Sequence, residues 1–204
     1  MSNSIVPDSL AALTSSSMST TQCDPTAERL ATRSSTVIVL DDGTTISVRP
    51  VRPDDEPHMA VLHGHLSDQT VRFRYFANTP LHTRIDHARL KRICHPDLDQ
   101  DIVLVAEHRL PHRKTELIGV ARLDRQADPK VGEIALLVVD HWQRHTLGAH
   151  LFDLMIAIAK QEKLGRIFIT FHRENRLMRL LCDHRGFITS QPVDETFTRS
   201  DLRL

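Results

Sequence analysis

The sequence has no excess charge of either sign and few cysteines. Its 204 residues include 26 Lys and Arg and 26 Asp and Glu, so no net charge attracts a nucleic acid or an anionic membrane. The three cysteines, Cys23, Cys94 and Cys182, lack the paired spacing of a metal site, and an odd number cannot all be bridged internally. We therefore expect a reducing, cytoplasmic setting without a nucleic-acid or membrane partner.

Long apolar runs are also missing. The longest uninterrupted run, 134–139, is far too short to cross a bilayer, since a spanning helix needs about 20 apolar residues. The N-terminus lacks the basic segment followed by an apolar one that is typical of a secretory signal. The 13 histidines are scattered, and no carboxylate or cysteine accompanies them at the spacing of a known metal site. We therefore expect no metal.

The order of apolar patterns predicts one α+β domain over 36–204, preceded by a disordered tail over 1–35 that is rich in Ser, Thr and Ala. One strand–helix–strand unit predicts a parallel pair in an otherwise mostly antiparallel, mixed sheet. Strands are predicted at 36–40, 45–49, 102–107, 117–123, 133–139, 167–171 and 196–204. Helices are predicted from an Asp cap near Pro53, over 83–93, over 146–163, and from Asn175 to Gly186. A turn is predicted at 111–114.

The connection after the strand at 133–139 is the most informative segment. The strand ends in a polar turn, and an amphipathic helix follows at once. A helix that begins in this way directs unpaired backbone N–H groups and the positive end of its dipole at one spot, which favours a phosphate. An ordinary strand-to-helix connection is the alternative.

Four motifs carry a family resemblance. They are Leu40-Asp41-Asp42-Gly43-Thr44 through Glu56; Leu66-Ser67 with Arg72-Phe73-Arg74-Tyr75-Phe76; Gly132-Glu133-Ile134-Ala135 leading to Trp142-Gln143 and Gly148; and Glu174-Asn175-Arg176-Leu177-Met178 ending at Gly186-Phe187. In this order they resemble the GNAT superfamily of acyl-CoA-dependent N-acyltransferases, above all the module of bacterial protein-lysine acetyltransferases. The resemblance implies a three-layer α/β/α fold, acetyl-CoA as co-substrate and a primary amine acceptor such as a protein lysine.

Two departures from the family pattern concern function. The family's cofactor signature is Q/R-x-x-G-x-G/A; Gln143 and Gly148 match it, but Thr146 stands at its first glycine and Arg144 at another position that is commonly glycine. Because glycine allows close approach of the backbone to a phosphate, we expect a tuned or weakened cofactor site. Many members use a tyrosine as general acid seven residues after the asparagine, where this chain has Cys182. This thiol is either an acid for the departing thiolate or a packing residue.

The resemblance implies Glu133 as the catalytic base; a solvent-facing strand-end carboxylate is the alternative. Glu107 and Asp140 are weaker acidic candidates, interpreted as a solvated strand residue and a strand terminator. Asn175 resembles a cofactor-side asparagine, and a plain helix cap is its alternative. The predicted cofactor-binding residues are Leu137, Val138, Val139, Gln143, Arg144, His145, Thr146, Leu147, Gly148, Ala149 and Asn175.

Two functions remain after the sequence. The first is acetyl transfer from acetyl-CoA to a primary amine, in an enzyme that can form a homodimer. The second is a catalytically degenerate module that binds acyl-CoA or a protein partner as a regulator. Thr146, Arg144 and Cys182 favour the second function, whereas Glu133 and Gln143 favour the first.

Overall fold

A computed structural model describes residues 35–109, 115–190 and 196–204. Eight strands form one sheet in the order β1-β2-β3-β4-β5-β6-β8-β7, in which every neighbouring pair is antiparallel except β5 and β6. The strands are Thr36–Val39 (β1), Thr45–Pro50 (β2), Asp101–Arg109 (β3), Thr115–Arg125 (β4), Val131–Val138 (β5), Arg166–His172 (β6), Ile188–Thr189 (β7) and Phe197–Arg203 (β8). The predicted mixed sheet is confirmed.

Helices cover both faces of this sheet. Those of the described residues are Glu56–Gly64 (α1), Asp68–Tyr75 (α2), Leu81–Arg84 (α3), His87–Cys94 (α4), Leu147–Gln161 (α5) and Arg176–Asp183 (α6). Residues of α5 and α6 share one buried cluster with the sheet, and residues of α1, α2 and α4 share a second cluster on the opposite face. The domain therefore has three layers, and the sheet lies in the middle.

Helix α5 illustrates why these elements form. Its apolar residues recur at helical spacing, and Leu147, Leu151, Met155 and Ile158 are almost fully buried against the sheet. The central strands are apolar on both faces because both faces are covered: Leu104 belongs to the α5 cluster, and its neighbour Val105 belongs to the other.

Several predicted boundaries were wrong for local reasons. The helix predicted over 83–93 is two helices, because Asp86 starts α4 by accepting a hydrogen bond from the Arg89 N–H (3.2 Å). Helix α2, which has Ser67 as its cap, and the two-residue strand β7 were missed. The Asp cap predicted for the first helix does not form: Asp55 stands at that position, but its carboxylate serves another contact. All but the last residue of the tail predicted over 1–35, and the turn predicted at 111–114, lie outside the described residues.

That contact is an ion-pair network around Arg49. Its guanidinium donates two hydrogen bonds to Asp55 (2.8 Å each) and one to Glu107 (2.6 Å), which joins β2 to β3 and to the start of α1. Glu107 is therefore mostly buried rather than solvated, with 14% of its side chain exposed. Burial raises the pKa of Asp55, but the hydrogen bonds from Arg49 and from the Arg52 N–H, together with the positive charge of Arg49, hold it below its usual value.

The network predicts a large effect of losing its cation. Arg49→Met should lower the free energy of unfolding by about 3 kcal/mol, because two buried carboxylates lose their partner. Urea unfolding at neutral pH measures this. Arg166→Met is the control, since its half-exposed pair with Asp201 spans 3.8 Å and should contribute less than about 1 kcal/mol. Equal losses in the two variants would contradict the assigned role of Arg49.

Candidate functional site

A cleft opens where β5 and β6 separate. The two strands pair only from Val131–Glu133 to Arg166–Phe168, after which β6 continues to pair with β8 on its other side. The resulting cleft, here called the β5–β6 cleft, has a volume of about 740 Å³. It is lined by the later residues of β5, the loop 143–149, and residues of α2, β6 and α6. This volume is in the range of cofactor-binding pockets.

The loop that follows β5 presents unpaired donors to this cleft. Within the described residues, no acceptor is found for the backbone N–H groups of Arg144, His145, Thr146, Gly148 and Ala149. These groups lie at the N-terminus of the fifteen-residue helix α5, where the helix dipole adds positive potential. The loop can therefore hold an anion such as a diphosphate.

Two residues of this loop have the backbone conformation of glycine. Arg144 has φ +66° and Thr146 has φ +60°, both in the left-handed region. They are the two positions at which the sequence departs from the family's glycines, so the loop keeps the glycine conformation without glycine. For a β-branched residue this conformation costs roughly 1–2 kcal/mol. The Thr146 hydroxyl does not cap α5; it donates to the His145 carbonyl (2.7 Å).

A polar cluster fastens the loop to α2. The Asp140 carboxylate accepts hydrogen bonds from the Ser67 N–H (2.9 Å), the Ser67 hydroxyl (2.5 Å) and the Thr70 hydroxyl (2.9 Å). Although burial raises the pKa of Asp140, these bonds hold it below its usual value. The Gln143 amide donates to Thr70 Oγ1 (3.0 Å) and to the Val138 carbonyl (2.9 Å). Asp140 is thus an anchor for α2 as well as the end of the strand.

The free edge of β5 supplies further backbone groups. The Val139 N–H donates to the Ile118 carbonyl of β4 (2.9 Å), so it is not directed at the cleft. Because strand residues alternate in the direction of their backbone groups, Val138 and Leu136 direct theirs toward the gap beside β6. An extended ligand lying in the cleft can pair with this edge as an added strand.

Glu133 is the last residue of β5 that pairs with β6, and it lines the cleft where it begins. Burial raises the pKa of its carboxyl above the usual value, and the neighbouring Asp124 charge acts in the same direction. The Thr170 hydroxyl and the positive charges of Arg74 and Arg199 partly offset this shift. A carboxylate with a raised pKa accepts a proton more readily, which suits a general base.

Helix α6 closes the cleft on the far side of β6. The Asn175 side chain accepts a hydrogen bond from the Met178 N–H (3.1 Å) and also lines the cleft, so it is a helix cap beside the binding site. Two leucines of this helix, Leu177 and Leu180, do not pack in the core: they are 47% and 51% exposed and line the cleft. Cys182 is fully buried, and burial raises the pKa of its thiol to about 12. This thiol packs in the core and cannot reach the cleft.

Most of the residues predicted from the sequence meet at this cleft. The lining includes Glu133, Leu137, Val138, Gln143, Arg144, Thr146, Gly148, Ala149 and Asn175. Val139, His145 and Leu147 do not line it: Leu147 is fully buried in the core, and His145 is exposed at the loop surface. Thr170 and Arg74 were not identified from the sequence as residues of the cleft. The helical pattern of residues 68–75 is the sequence signal that could have placed Arg74 on a helix.

Neither a membrane-spanning helix nor a metal cluster is found in the described part of the chain. Helix α5 is the longest of the described helices, and its fifteen residues fall short of a bilayer's thickness. The described histidines form no group of three or more potential ligands with cysteine or carboxylate.

Comparisons with known proteins agree with this geometry. Residues 78–187 match the model of the acetyltransferase (GNAT) family. An acetyltransferase of Pseudomonas aeruginosa is 27% identical over 159 residues, which cover 77% of this chain and 82% of that protein. The solved GNAT domain of S. lividans PAT has a TM-score of 0.73 at 24% identity, over 83% of this chain and 97% of that one.

A further solved structure is the PaiA N-acetyltransferase of Thermoplasma acidophilum in complex with coenzyme A. It has a TM-score of 0.63 at 14% identity, over 78% of this chain and 99% of that one. At such low identity these two structures show a shared fold.

The left-handed residues of the loop predict a stabilising substitution. Thr146→Gly should raise the free energy of unfolding by roughly 0.5–1 kcal/mol, because relief of the left-handed strain exceeds the entropy that glycine loses on folding. Thermal and urea unfolding measure the change. Ala149→Gly is the control: it lies in the right-handed first turn of α5 and should lose roughly 0.5–1 kcal/mol. Destabilisation by both changes would mean that the loop conformation carries no strain.

Proposed function

This chain belongs to the acetyltransferase (GNAT) family, and we propose that it transfers an acetyl group from acetyl-CoA to a primary amine. One observation carries the proposal: Glu133 lies at the point where β5 leaves β6, next to the unpaired edge and loop donors that can hold a nucleotide thioester. The base and the binding groups thus converge on one cleft.

The chain offers matching groups along the length of acetyl-CoA. The unpaired N–H groups of Arg144, Thr146, Gly148 and Ala149 suit the diphosphate, and Arg144 adds a cationic side chain exposed beside them. The edge at Leu136 and Val138 suits the amide groups of the pantetheine arm. The exposed side chains of Leu177 and Leu180 cover that arm with apolar surface.

Glu133 makes the amine reactive. An alkyl amine is mostly protonated at neutral pH, since the reference pKa of lysine is ~10.4, and only its neutral form attacks. In the transfer, a bond forms between the amine nitrogen and the thioester carbon, and the carbon–sulfur bond breaks. Glu133 takes one proton from the ammonium group, directly or through a water, which frees the neutral amine for attack. After attack the nitrogen loses a second proton to solvent, and the CoA thiolate takes a proton from solvent. Backbone donors beside Leu136 and Val138 polarise the thioester carbonyl.

A second candidate function is a regulator that binds acyl-CoA without turnover. The observation that favours it is the burial of Cys182, because the described residues lining the cleft then include no tyrosine or cysteine to protonate the thiolate. The raised pKa of Glu133 favours the enzyme, since a purely binding module has no use for a costly buried carboxylate. A protein lysine acceptor, a cytoplasmic location and a homodimer stay predictions.

A substitution at Gly148 should affect ligand binding and the stability of the fold in opposite directions. Among the described residues, apart from the chain neighbours and the helix's own backbone, only Val138 Cγ2 lies within 4 Å of a Cβ added there, at 3.9 Å. Gly148→Ala therefore fits the fold and should gain up to about 1 kcal/mol of helix stability. The same methyl group projects beside the donors of the loop, so the affinity for acetyl-CoA should fall by about tenfold or more. Calorimetric titration and thermal unfolding measure the two effects. Unchanged affinity would place the diphosphate elsewhere.

Glu133→Gln tests the base. Turnover should fall by roughly 10²–10⁴-fold, with the dissociation constant for acetyl-CoA nearly unchanged, because glutamine fills the same space but cannot take a proton. In the parent protein, kcat/KM should fall as the pH drops through the raised pKa of Glu133. The variant should lose this acidic limb.

The same substitution should also stabilise the fold. The pKa of Glu133 is raised on folding, so its ionisation costs stability as the pH rises through the interval between its usual and its raised value. Glu133→Gln should therefore have a higher Tm than the parent at neutral pH and a similar one near pH 4. Glu116→Gln, on the half-buried start of β4, is the control for both readouts. If the Glu133→Gln variant keeps its turnover, another residue is the base. If the parent protein binds acetyl-CoA but shows no turnover, the regulator is favoured.

A further inference from the structure

A second cavity adjoins the β5–β6 cleft on the face of the sheet that α1, α2 and α4 cover. It has a volume of about 490 Å³, with β3, β4 and β5 as its floor and the three helices as its roof. Both cavities share Arg74, Ala135 and Leu137. Glu133 precedes Ala135 by two residues, so both side chains lie on the same face of β5. A molecule in this second cavity can therefore present an amine to Glu133.

Arginine dominates the lining of this cavity, which we call the arginine cavity. Its charged residues are Arg74, Arg89, Arg92, Arg122, Asp97 and Asp101. Arg122 is already paired with Asp101 (2.8 Å). Within the described ranges, neither Arg74 nor Arg89 has a carboxylate within 4 Å, and the Arg89 Nε–H is buried without an acceptor. The cavity thus holds more cation than its own acids neutralise.

The two uncompensated arginines are held in place by an aromatic ring. The Arg89 guanidinium lies 4.8 Å from the centre of the Tyr75 ring, and that of Arg74 lies 5.6 Å from it. His63, which also lines the cavity, is 1% exposed, and its Nε2 has no partner within the described ranges. Burial and the positive charges of Arg84, Arg89 and Arg74 lower the pKa of His63 to about 4. Burial is the larger cause of this shift, and the positive charges of the three arginines add to it.

Three acidic residues lie together on the face of the sheet that forms this floor. Asp101, Asp124 and Glu133 are neighbours in register across β3, β4 and β5, so their side chains share one face. Burial raises the pKa of Asp124, as it does that of Glu133. Arg122 pairs with both Asp101 and Asp124, whereas Arg89 has no carboxylate within 4 Å among the described residues. Carboxylates thus cluster near Glu133 and an uncompensated cation lies at Arg89, a pattern that matches a molecule with a cationic and an anionic end.

We propose that the acceptor of this transferase is a small primary amine that carries an anionic group, a carboxylate or a phosphonate, with the amine at Glu133 and the anion on Arg74 and Arg89. The inference rests on the proposed acetyl transfer and narrows its acceptor. Guanidinium groups bind both anions through paired hydrogen bonds. A lysine side chain of a protein has an amine but no anionic group at the required position.

Matched acceptors test the inference directly. Initial rates of acetyl-CoA consumption are compared for γ-aminobutyrate against butylamine, for aminoethylphosphonate against propylamine, and for a lysine peptide. The anionic member of at least one pair should have the higher kcat/KM by about tenfold or more, and the better pair identifies the anion. Arg89→Gln should remove most of this preference, a loss of roughly 30-fold for the anionic amine, with little change for its neutral partner.

Lys91→Gln is the matched control, because it removes one positive charge from the same helix at an exposed residue outside the cavity. It should keep the preference. Neutral amines or the lysine peptide reacting faster than both anionic amines would overturn the inference and leave acetyl transfer intact, as would a preference that survives Arg89→Gln. If no acceptor reacts, the proposed function fails instead. Calorimetric titration of the CoA-loaded protein with the same amines then shows whether the anionic amines bind more tightly than the neutral ones.

Discussion

The brief pairing of β5 with β6 is the constraint on which the rest of the site depends. Three residues of each strand are in register, and then the strands part while β6 keeps its full pairing with β8. A sheet that paired to the end would satisfy every backbone group of β5 and leave no cleft. The separation exposes one edge of β5 and leaves room for α5 to begin with its N–H groups free.

What keeps this gap open lies outside the two strands. Asp140 and Gln143 hydrogen-bond to Ser67 and Thr70 at the start of α2, and so fix the loop after β5 to a helix on the opposite face of the sheet from α5. Helix α6 keeps two leucines at the surface of the cleft where a core helix would bury them. These groups would stabilise the fold more if they were packed in the core. In the cleft they are available to contact a ligand instead, and such a trade between stability and activity is common at functional sites.

Strand β5 divides the chemistry between its edge and its face. Backbone groups along the edge address one substrate, whereas the side chains on the face around Ala135 line the arginine cavity. Glu133 stands where edge and face meet, and it carries a charge that burial disfavours. In the proposed reaction, the residue that takes the proton of the amine is therefore also one that weakens the fold. The left-handed Thr146 adds a second local cost, since it keeps a glycine-like loop shape with a branched side chain.

The sequence by itself determined the sheet, the parallel unit and the burial stripe of α5, because periodicity and caps act over a few neighbouring positions. Most of the cleft residues were implied by the family resemblance of its motifs. It did not determine that Arg49 joins Asp55 to Glu107, that Leu177 faces a cleft, or that Cys182 packs in the core. Those outcomes depend on which elements meet across the sheet, and residues far apart in the chain carry no local sign of meeting. Arg74 and Arg89 gain their shared role only because α2 and α4 cover the same strands.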